Sequence, residues 1–330
     1  MAPPGHAGSR IQYAYAGIIL LFLAGAAAAQ EYPSKAIQVV LPLQAASASD
    51  IAVRLVAERM AEILGQGIAV ENVSGVGGLI GANRVAAARP DGYTLAALNN
   101  SILAILPHIR KAETKFDPFN DFIPIYGFAN IPTFLGVARD LPVANTHELI
   151  KLAKARPGAL NYSSGGPGSP QHLATEMFQS MAGVKLTHVP YKGATAAAAD
   201  LAAGRVQVMM ISHSLALPYL PESKVRLIAF AGKDRSPAFP EVPTVHEAGV
   251  PGYDYASWIA LFAIKGTPAP IVAKLRDAAA KALATPGLPE RLFKSGLEIW
   301  ATPPERLGSV VREDHVRWQK VVADAGIAEK

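Results

Sequence analysis

Three serines, Ser163, Ser164 and Ser169, stand close together in the run NYSSGGPGSPQHL that begins at Asn161. Their hydroxyls are hydrogen-bond donors, and Gly165, Gly166 and Gly168 keep the neighbouring backbone open. The run reads as a short strand, a Ser/Gly/Pro loop and then a helix. The donors therefore fall at the positive end of a helix, where negative charge is stabilised. This is chemistry for holding a small anion rather than transforming it. A glycine-rich turn with ordinary helix caps draws on the same residues. His172 reads as a stabiliser of the helix start.

A second candidate lies at residues 44–50 (QAASASD), between the first predicted strand and helix. Open α/β sheets bind ligands at such strand-to-helix loops. Its backbone N–H groups, with Ser47 and Ser49, suit a carboxylate; N-capping by Ser or Asp is the alternative use. Asn99, Asn100 and Ser101 end a third strand, where side-chain amides either reach a ligand or make an Asn-rich turn.

Signals for other chemistry are missing. Residues 74–81 (SGVGGLIG) imitate a dinucleotide loop, but Ile80 stands where the third glycine is required, and a tight turn with close helix packing fits better. Lys192 in Tyr191-Lys192-Gly193 lacks the glycine spacing of a phosphate loop. His108, His172, His188, His213 and His246 show no zinc spacing, so no metal or other cofactor is expected. Neither Ser164 nor Ser169 sits in G-x-S-x-G. A secreted hydrolase using a serine of residues 163–169 with His172 or His188 is the catalytic alternative.

The elements that must position these loops alternate strand and helix. Residues 37–41 form an apolar strand, and Ile51, Leu55, Val56, Met60, Ile63 and Leu64 repeat near period 3.6 until Gly65 and Gly67. Strands are predicted at 68–73 and 93–98, with a helix between. The rhythm restarts after Pro132, with an extended run at 133–138 and a helix over 146–155 capped by Thr146. Strands follow near 160–163, 186–189, 206–211 and 225–231, separated by helices. Residues 253–264 are extended, and helices begin at Thr267-Pro268 and at the capping box Thr302-Pro303-Pro304-Glu305. The pattern predicts an α/β fold with mainly parallel sheets covered by helices. Two crossings near residues 132 and 256 would divide it into two lobes, 30–132 with 257–330 and 133–256, around a ligand cleft.

Composition is that of a globular α/β chain rather than a disordered one. The chain has 330 residues, half of them apolar and 17% charged, enough for real cores. Residues 1–29 read as an export signal: Arg10, an apolar run and Ala27-Ala28-Ala29, with cleavage near Ala29. Removing Arg10 lowers the formal charge from +5 to +4, a mild bias without basic runs, which argues against nucleic acid. With no cysteine there are no disulfides or thiolate sites.

Taken in order, many short motifs make the chain resemble the substrate-binding receptors of tripartite tricarboxylate transporters, the TctC or Bug family. They include Tyr32-Pro33-Ser34-Lys35, Asp50 with Arg54, Val70-Glu71-Asn72 and Gly75-Val76-Gly77-Gly78. Further on come Arg89-Pro90-Asp91-Gly92-Tyr93-Thr94-Leu95, Asn161-Tyr162-Ser163-Ser164, Gln171-His172-Leu173 and His188-Val189-Pro190-Tyr191-Lys192-Gly193. Asp200-Leu201 with Gly204, Arg235-Ser236-Pro237, residues 243–249 and Gly266-Thr267-Pro268 complete the series. The resemblance implies a type II two-lobed periplasmic binding protein with mostly parallel sheets joined by two crossing strands. It implies a non-enzymatic, monomeric receptor that closes on an organic acid and delivers it to membrane permease subunits; presentation of ligand to a sensor kinase is the alternative.

The ligand positions it implies are Leu43, Ala45, Ala46, Ser47 and Asp50 in the first loop. Ser163, Ser164, Gly166, Gly168 and Ser169 lie in the facing loop, and Asn99, Asn100, Ser101 and Ser212 at strand ends. The first loop departs from the family, whose Pro-Phe-x-x-Gly-Gly reads Pro42-Leu43-Gln44-Ala45-Ala46-Ser47 here. Asn is common in the family where Pro167 stands.

Overall fold

The computed structural model describes residues 31–325, so the export-signal reading and its cleavage near Ala29 lie outside the described residues. Residues 31–34 carry no helix or strand. From Lys35 onward the chain packs as one unit that contains two β-sheets. The strands β1 (Ile37–Leu41), β2 (Ile68–Asn72), β3 (Thr94–Asn99) and β4 (Phe122–Asn130) build the first sheet. The next five, β5 (Thr133–Ala138), β6 (Asn161–Ser164), β7 (Thr187–Pro190), β8 (Val208–Ser212) and β9 (Val225–Phe230), build the second. Then β10 (Trp258–Ile264) and β11 (Glu298–Thr302) rejoin the first.

The strand orders are β11-β4-β10-β3-β1-β2 and β7-β6-β8-β5-β9. The α/β class and the helix-flanked sheets are as expected, but the sheets are mixed rather than mostly parallel. In the first, β1 runs parallel to β2 and β3, while β10 is antiparallel to β3 and β4. In the second, β6 is parallel to β7 and β8, and β5 is antiparallel to β8 and β9. The cause is connectivity. Each sheet admits a strand, β10 or β5, whose chain arrives from the other sheet without a helical crossover, so it enters against the parallel direction.

Helices α1 (Ala48–Leu64), α2 (Leu79–Ala86), α3 (Leu106–Ile109), α4 (Thr146–Ala155), α5 (Pro170–Ala182) and α6 (Ala194–Ala202) follow their strands. They are joined by α7 (His213–Ala216), α8 (Ala269–Leu283), α9 (Leu288–Lys294) and α10 (Pro304–Ala325). Helix α1 buries Ala52, Val53, Val56, Ala57 and Met60, while Ile63 is 39% exposed. The apolar stripe is thus turned from the one the sequence suggests, because small alanines share the packing face. Gly65, at φ +66°, ends the helix in the left-handed conformation that glycine adopts at low cost. The N-cap of α4 is Asn145, which accepts from the Glu148 N–H at 3.0 Å, and not Thr146.

The two passages between sheets lie side by side. The Ile131 N–H donates to the Ser257 carbonyl at 2.8 Å, and within the second passage the Tyr255 N–H donates to the Ala231 carbonyl at 2.7 Å. One large apolar core gathers residues from both sheets, including Leu98, Ile102, Leu135, Tyr162, Phe178, Tyr253 and Trp318. A smaller core around Ala197, Leu201, Met209 and Ile211 lies under α6.

Candidate functional site

The loop after β1 is built as a helix start. Ser47 is the N-cap of α1, and its hydroxyl accepts from the Asp50 N–H at 3.3 Å. Helix geometry leaves the N–H groups of Ala48 and Ser49 without intrahelical acceptors. The Asp50 carboxylate turns back into the protein. It accepts from the Ala46 N–H at 2.9 Å, from Arg54 Nε at 3.0 Å and from Asn72 Nδ2 at 2.9 Å. Asn72 Nδ2 also donates to the Leu43 carbonyl at 3.0 Å, so one network fixes both ends of the loop. Burial opposes ionisation of Asp50, but the Arg54, Asn72 and Ala46 hydrogen bonds outweigh it and hold its pKa below the ordinary value.

The loop after β6 has the same design. Ser169 caps α5 by accepting from the His172 N–H at 3.4 Å. Gly166 and Gly168 take φ of +110° and +77°, which side chains rarely adopt. Ser164 Oγ meets His188 Nε2 at 2.6 Å and accepts from the Gly166 N–H at 3.1 Å; the Gly168 N–H donates to His172 Nδ1 at 3.2 Å. His172 and His188 stack with centroids 4.5 Å apart, and Tyr162 stacks on His188 at 4.7 Å. A third helix, α6, starts at Gly193 with no side-chain cap.

These three helix starts meet at one cleft. Ser47, Ala48 and Ser49 come from α1, Ser169, Pro170 and Gln171 from α5, and Ala194 from α6. Leu43, Gln44, Ile131, Thr133, Ser212, Leu215 and Ser257 complete the wall, which carries hydroxyls and amides but no ionisable side chain. Three positive helix ends therefore converge where no side-chain cation stands, an arrangement suited to a small anion.

Of the sequence-derived positions, Leu43, Ser47, Ser169 and Ser212 come together on this wall. Ala45, Ala46 and Asp50 lie in the same loop but off the wall, Asp50 as its internal brace. Asn99, Asn100 and Ser101 sit one step behind. Asn99 Oδ1 accepts from the Ile102 N–H at 3.0 Å, and its Nδ2 is buried without a partner. Asn100 Nδ2 donates to the Ala256 carbonyl at 2.7 Å, and its Oδ1 accepts from the wall residue Ser257 at 3.4 Å. Ser101 Oγ pairs with Tyr255 at 3.2 Å. Ser163 is buried and donates to the Ala197 carbonyl. Ser164 is buried under its own loop, Gly166 lines a second cavity, and Gly168 meets Gly77.

Gln44 and Ser49, from the 44–50 candidate, also lie on the wall, whereas Thr133, Gln171 and Ser257 are wall residues that sequence reasoning did not name as ligand positions. Thr133 and Ser257 flank the two crossings, so small polar residues at those points were the available signal.

The Ser164–His188 pair resembles half of a nucleophile–base arrangement. Ser164 has no exposed surface, and the imidazole faces His172 and Tyr162 rather than an orienting carboxylate. Burial, and then the neighbouring His172, push the His188 pKa down to about 4, which makes it a weak base.

The sequence model of the tripartite tricarboxylate transporter family receptor matches residues 52–327. A UPF0065 protein from the tcbD–tcbE intergenic region of Pseudomonas sp. strain P51 is 35% identical over 94% of this chain and 93% of its own length. The structure of R. palustris Rpa4515 with adipate superposes with a TM-score of 0.86 at 35% identity, covering 91% of this chain and 100% of that one. MatC from Rhodopseudomonas palustris with bound malate gives 0.82 at 33% identity, covering 88% and 100%.

Proposed function

The chain belongs to the tripartite tricarboxylate transporter receptor family, and on that premise we propose that it captures a small organic acid between its two sheets and passes it to membrane permease subunits. The observation that carries this reading is the meeting of the α1, α5 and α6 starts on one uncharged, hydroxyl-rich cleft. A carboxylate there receives N–H groups and aligned peptide dipoles without a buried cation to compensate when the site is empty. The site residues act in two groups. Leu43, Ser47, Ser169 and Ser212 face the ligand, while Asp50, Asn100, Ser163 and Ser164 hold the facing groups in place.

Closure moves the 133–256 lobe against the remainder about the paired crossings at residues 131–133 and 255–257. Hydrolysis is disfavoured because Ser164 is enclosed and His188 is poorly basic. Export to the periplasm and action as a monomer complete the proposal. Support comes from the relatives, of which Rpa4515 was solved with adipate and MatC with malate.

Thermal unfolding with a panel of mono-, di- and tricarboxylates tests the reading. A cognate acid at 100 times its Kd adds about 2.7 kcal/mol to stability. Absence of any shift across the panel overturns it.

A further inference from the structure

One part of the cleft wall is braced from behind by a residue that lines no part of the cleft. Gly296 lies in the turn between α9 and β11, on the side of the first sheet, and is buried. Its neighbours are His213 and Ser214, which open α7 after β8 in the second sheet. A methyl group on Gly296 would stand 2.6 Å from the Ser214 nitrogen, 2.8 Å from Ser214 Cα and 2.9 Å from the His213 carbonyl carbon. All three are backbone atoms, so no side-chain rotation relieves the collision. Gly296 also takes φ +72°, which glycine adopts at low cost.

The position of this contact matters as much as its closeness. His213 directly follows Ser212, and Ser214 directly precedes Leu215; Ser212 and Leu215 are both wall residues. Ser212 Oγ and Ser214 Oγ pair at 3.2 Å. The His213 N–H donates to the Pro132 carbonyl at 2.8 Å, which ties the same turn to the first crossing. On the other side, Glu298 of β11 pairs with Asn130 at the end of β4, just before that crossing. The two backbones therefore meet beside the hinge, where a small separation becomes a larger one at the cleft mouth.

We propose that Gly296 is a positioning residue for acid binding. It is the stop against which the His213–Ser214 turn comes to rest when the cleft closes, and it sets the closed position of Ser212 and Leu215. This rests on the closing carboxylate receptor proposed above and names what limits its closure. Gly296 itself touches no ligand. A side chain there would wedge the two halves apart while leaving every wall residue unchanged.

A matched pair of variants tests this. Gly287, the N-cap of α9, has φ +84°, and a methyl group there would meet nothing within 4 Å. Gly287→Ala thus carries the same left-handed strain as Gly296→Ala without the contact. Both variants are expected to melt about a few degrees below the parent chain. Calorimetric titration uses the acid of the mono-, di- and tricarboxylate panel that most raises the parent's melting temperature. Gly296→Ala should lower its affinity about tenfold, because the closed state becomes a minor one. Gly287→Ala should leave that affinity unchanged. In small-angle scattering the same acid should compact Gly287→Ala as it does the parent, and Gly296→Ala less. A measurement on the parent alone needs no substitution: amide exchange over residues 295–297 should slow when the acid binds, since closure brings the turn onto them. Equal affinities in the two variants, or exchange over 295–297 that ignores the acid, overturns the inference while leaving the carboxylate receptor intact. A parent chain that binds no acid of the panel overturns both.

Discussion

Gly77 and Gly168 lie backbone against backbone, one in the loop before α2 and the other in the loop before α5. A methyl group on Gly77 would stand 2.7 Å from the Gly168 carbonyl oxygen. The two glycine-rich loops thus close one rim of the second cavity, which Gly77 lines, and the contact requires the absence of a side chain. Gly77 also has φ +66°, where an L side chain is strained.

Gly77→Ala should therefore act twice. Left-handed strain costs about 1–2 kcal/mol of stability, and the methyl group keeps the two loops apart. Acid affinity is expected to fall by more than tenfold, measured calorimetrically. Small-angle scattering should show that ligand no longer compacts the variant as it does the parent chain.

Ala46 adopts φ +58° in the loop where the family carries glycine. Its N–H is held by Asp50 and its carbonyl accepts from Thr195 Oγ1 at 3.4 Å, so the conformation is imposed from both sides. Ala46→Gly should be neutral or stabilising by up to about 1 kcal/mol, since relief of strain is offset by unfolded-chain entropy. Ala46→Val should lose about 2 kcal/mol, because a β-branched residue tolerates this region least. Denaturant unfolding of the two variants measures the difference; equal stabilities would refute the strain.

The contrast between Ala46 and Ser47 shows how far the sequence could be read. Both replace family glycines, and composition treats them alike. Ser47 has φ −74° and simply caps α1, so its glycine was dispensable, while Ala46 carries the positive φ. Dihedral angles are set by the loop's tertiary bonds, which sequence does not display. Periodicity located β1, β3, α1 and α4 within a few residues because apolar residues and glycine or proline stops mark them. It missed β4, whose Pro124 and Gly127 imitate a loop. Gly127 is there because a side chain would strike the Trp300 ring, and the Pro124 carbonyl is held by Arg276 at 2.9 Å. The wall residues Thr133 and Ser257 were hidden for a similar reason: they are far apart in the chain and meet only through the paired crossings.

Asp50 is expected to matter more for loop order than for ligand contact. Asp50→Asn removes the charge that Arg54, Asn72 and Ala46 share, at a cost of about 2 kcal/mol after allowing for the half-exposed Arg54. Acid affinity should fall with it, because the Ala48 and Ser49 N–H groups lose their fixed direction. The pKa of Asp50 is lowered on folding, so its contribution is present above the unfolded value near 3.8 and is lost as pH falls through the lower folded value. The difference in stability between parent and Asp50→Asn should therefore hold constant from pH 7 to 5 and shrink only in stronger acid.

The facing loop titrates at higher pH. His188, held at about 4 by burial and by His172, would have a pKa of about 6.5 in the unfolded chain. Between those values the unfolded chain binds more protons than the folded one. Stability is therefore fully present above 6.5 and is lost as pH falls toward 4. His172 shifts in the same direction, through burial and the Arg110 charge, with Glu176 opposing. Protonation of His172 on Nδ1 also removes the acceptor of the Gly168 N–H, which loosens the rim contact with Gly77. Melting temperature should fall from pH 7 to pH 4.5, and acid affinity should fall with it. His188→Gln keeps a side-chain partner for Ser164 without titrating, so its melting temperature should depend less steeply on pH. A variant whose pH profile parallels that of the parent would show that the stacked imidazoles do not control the loop.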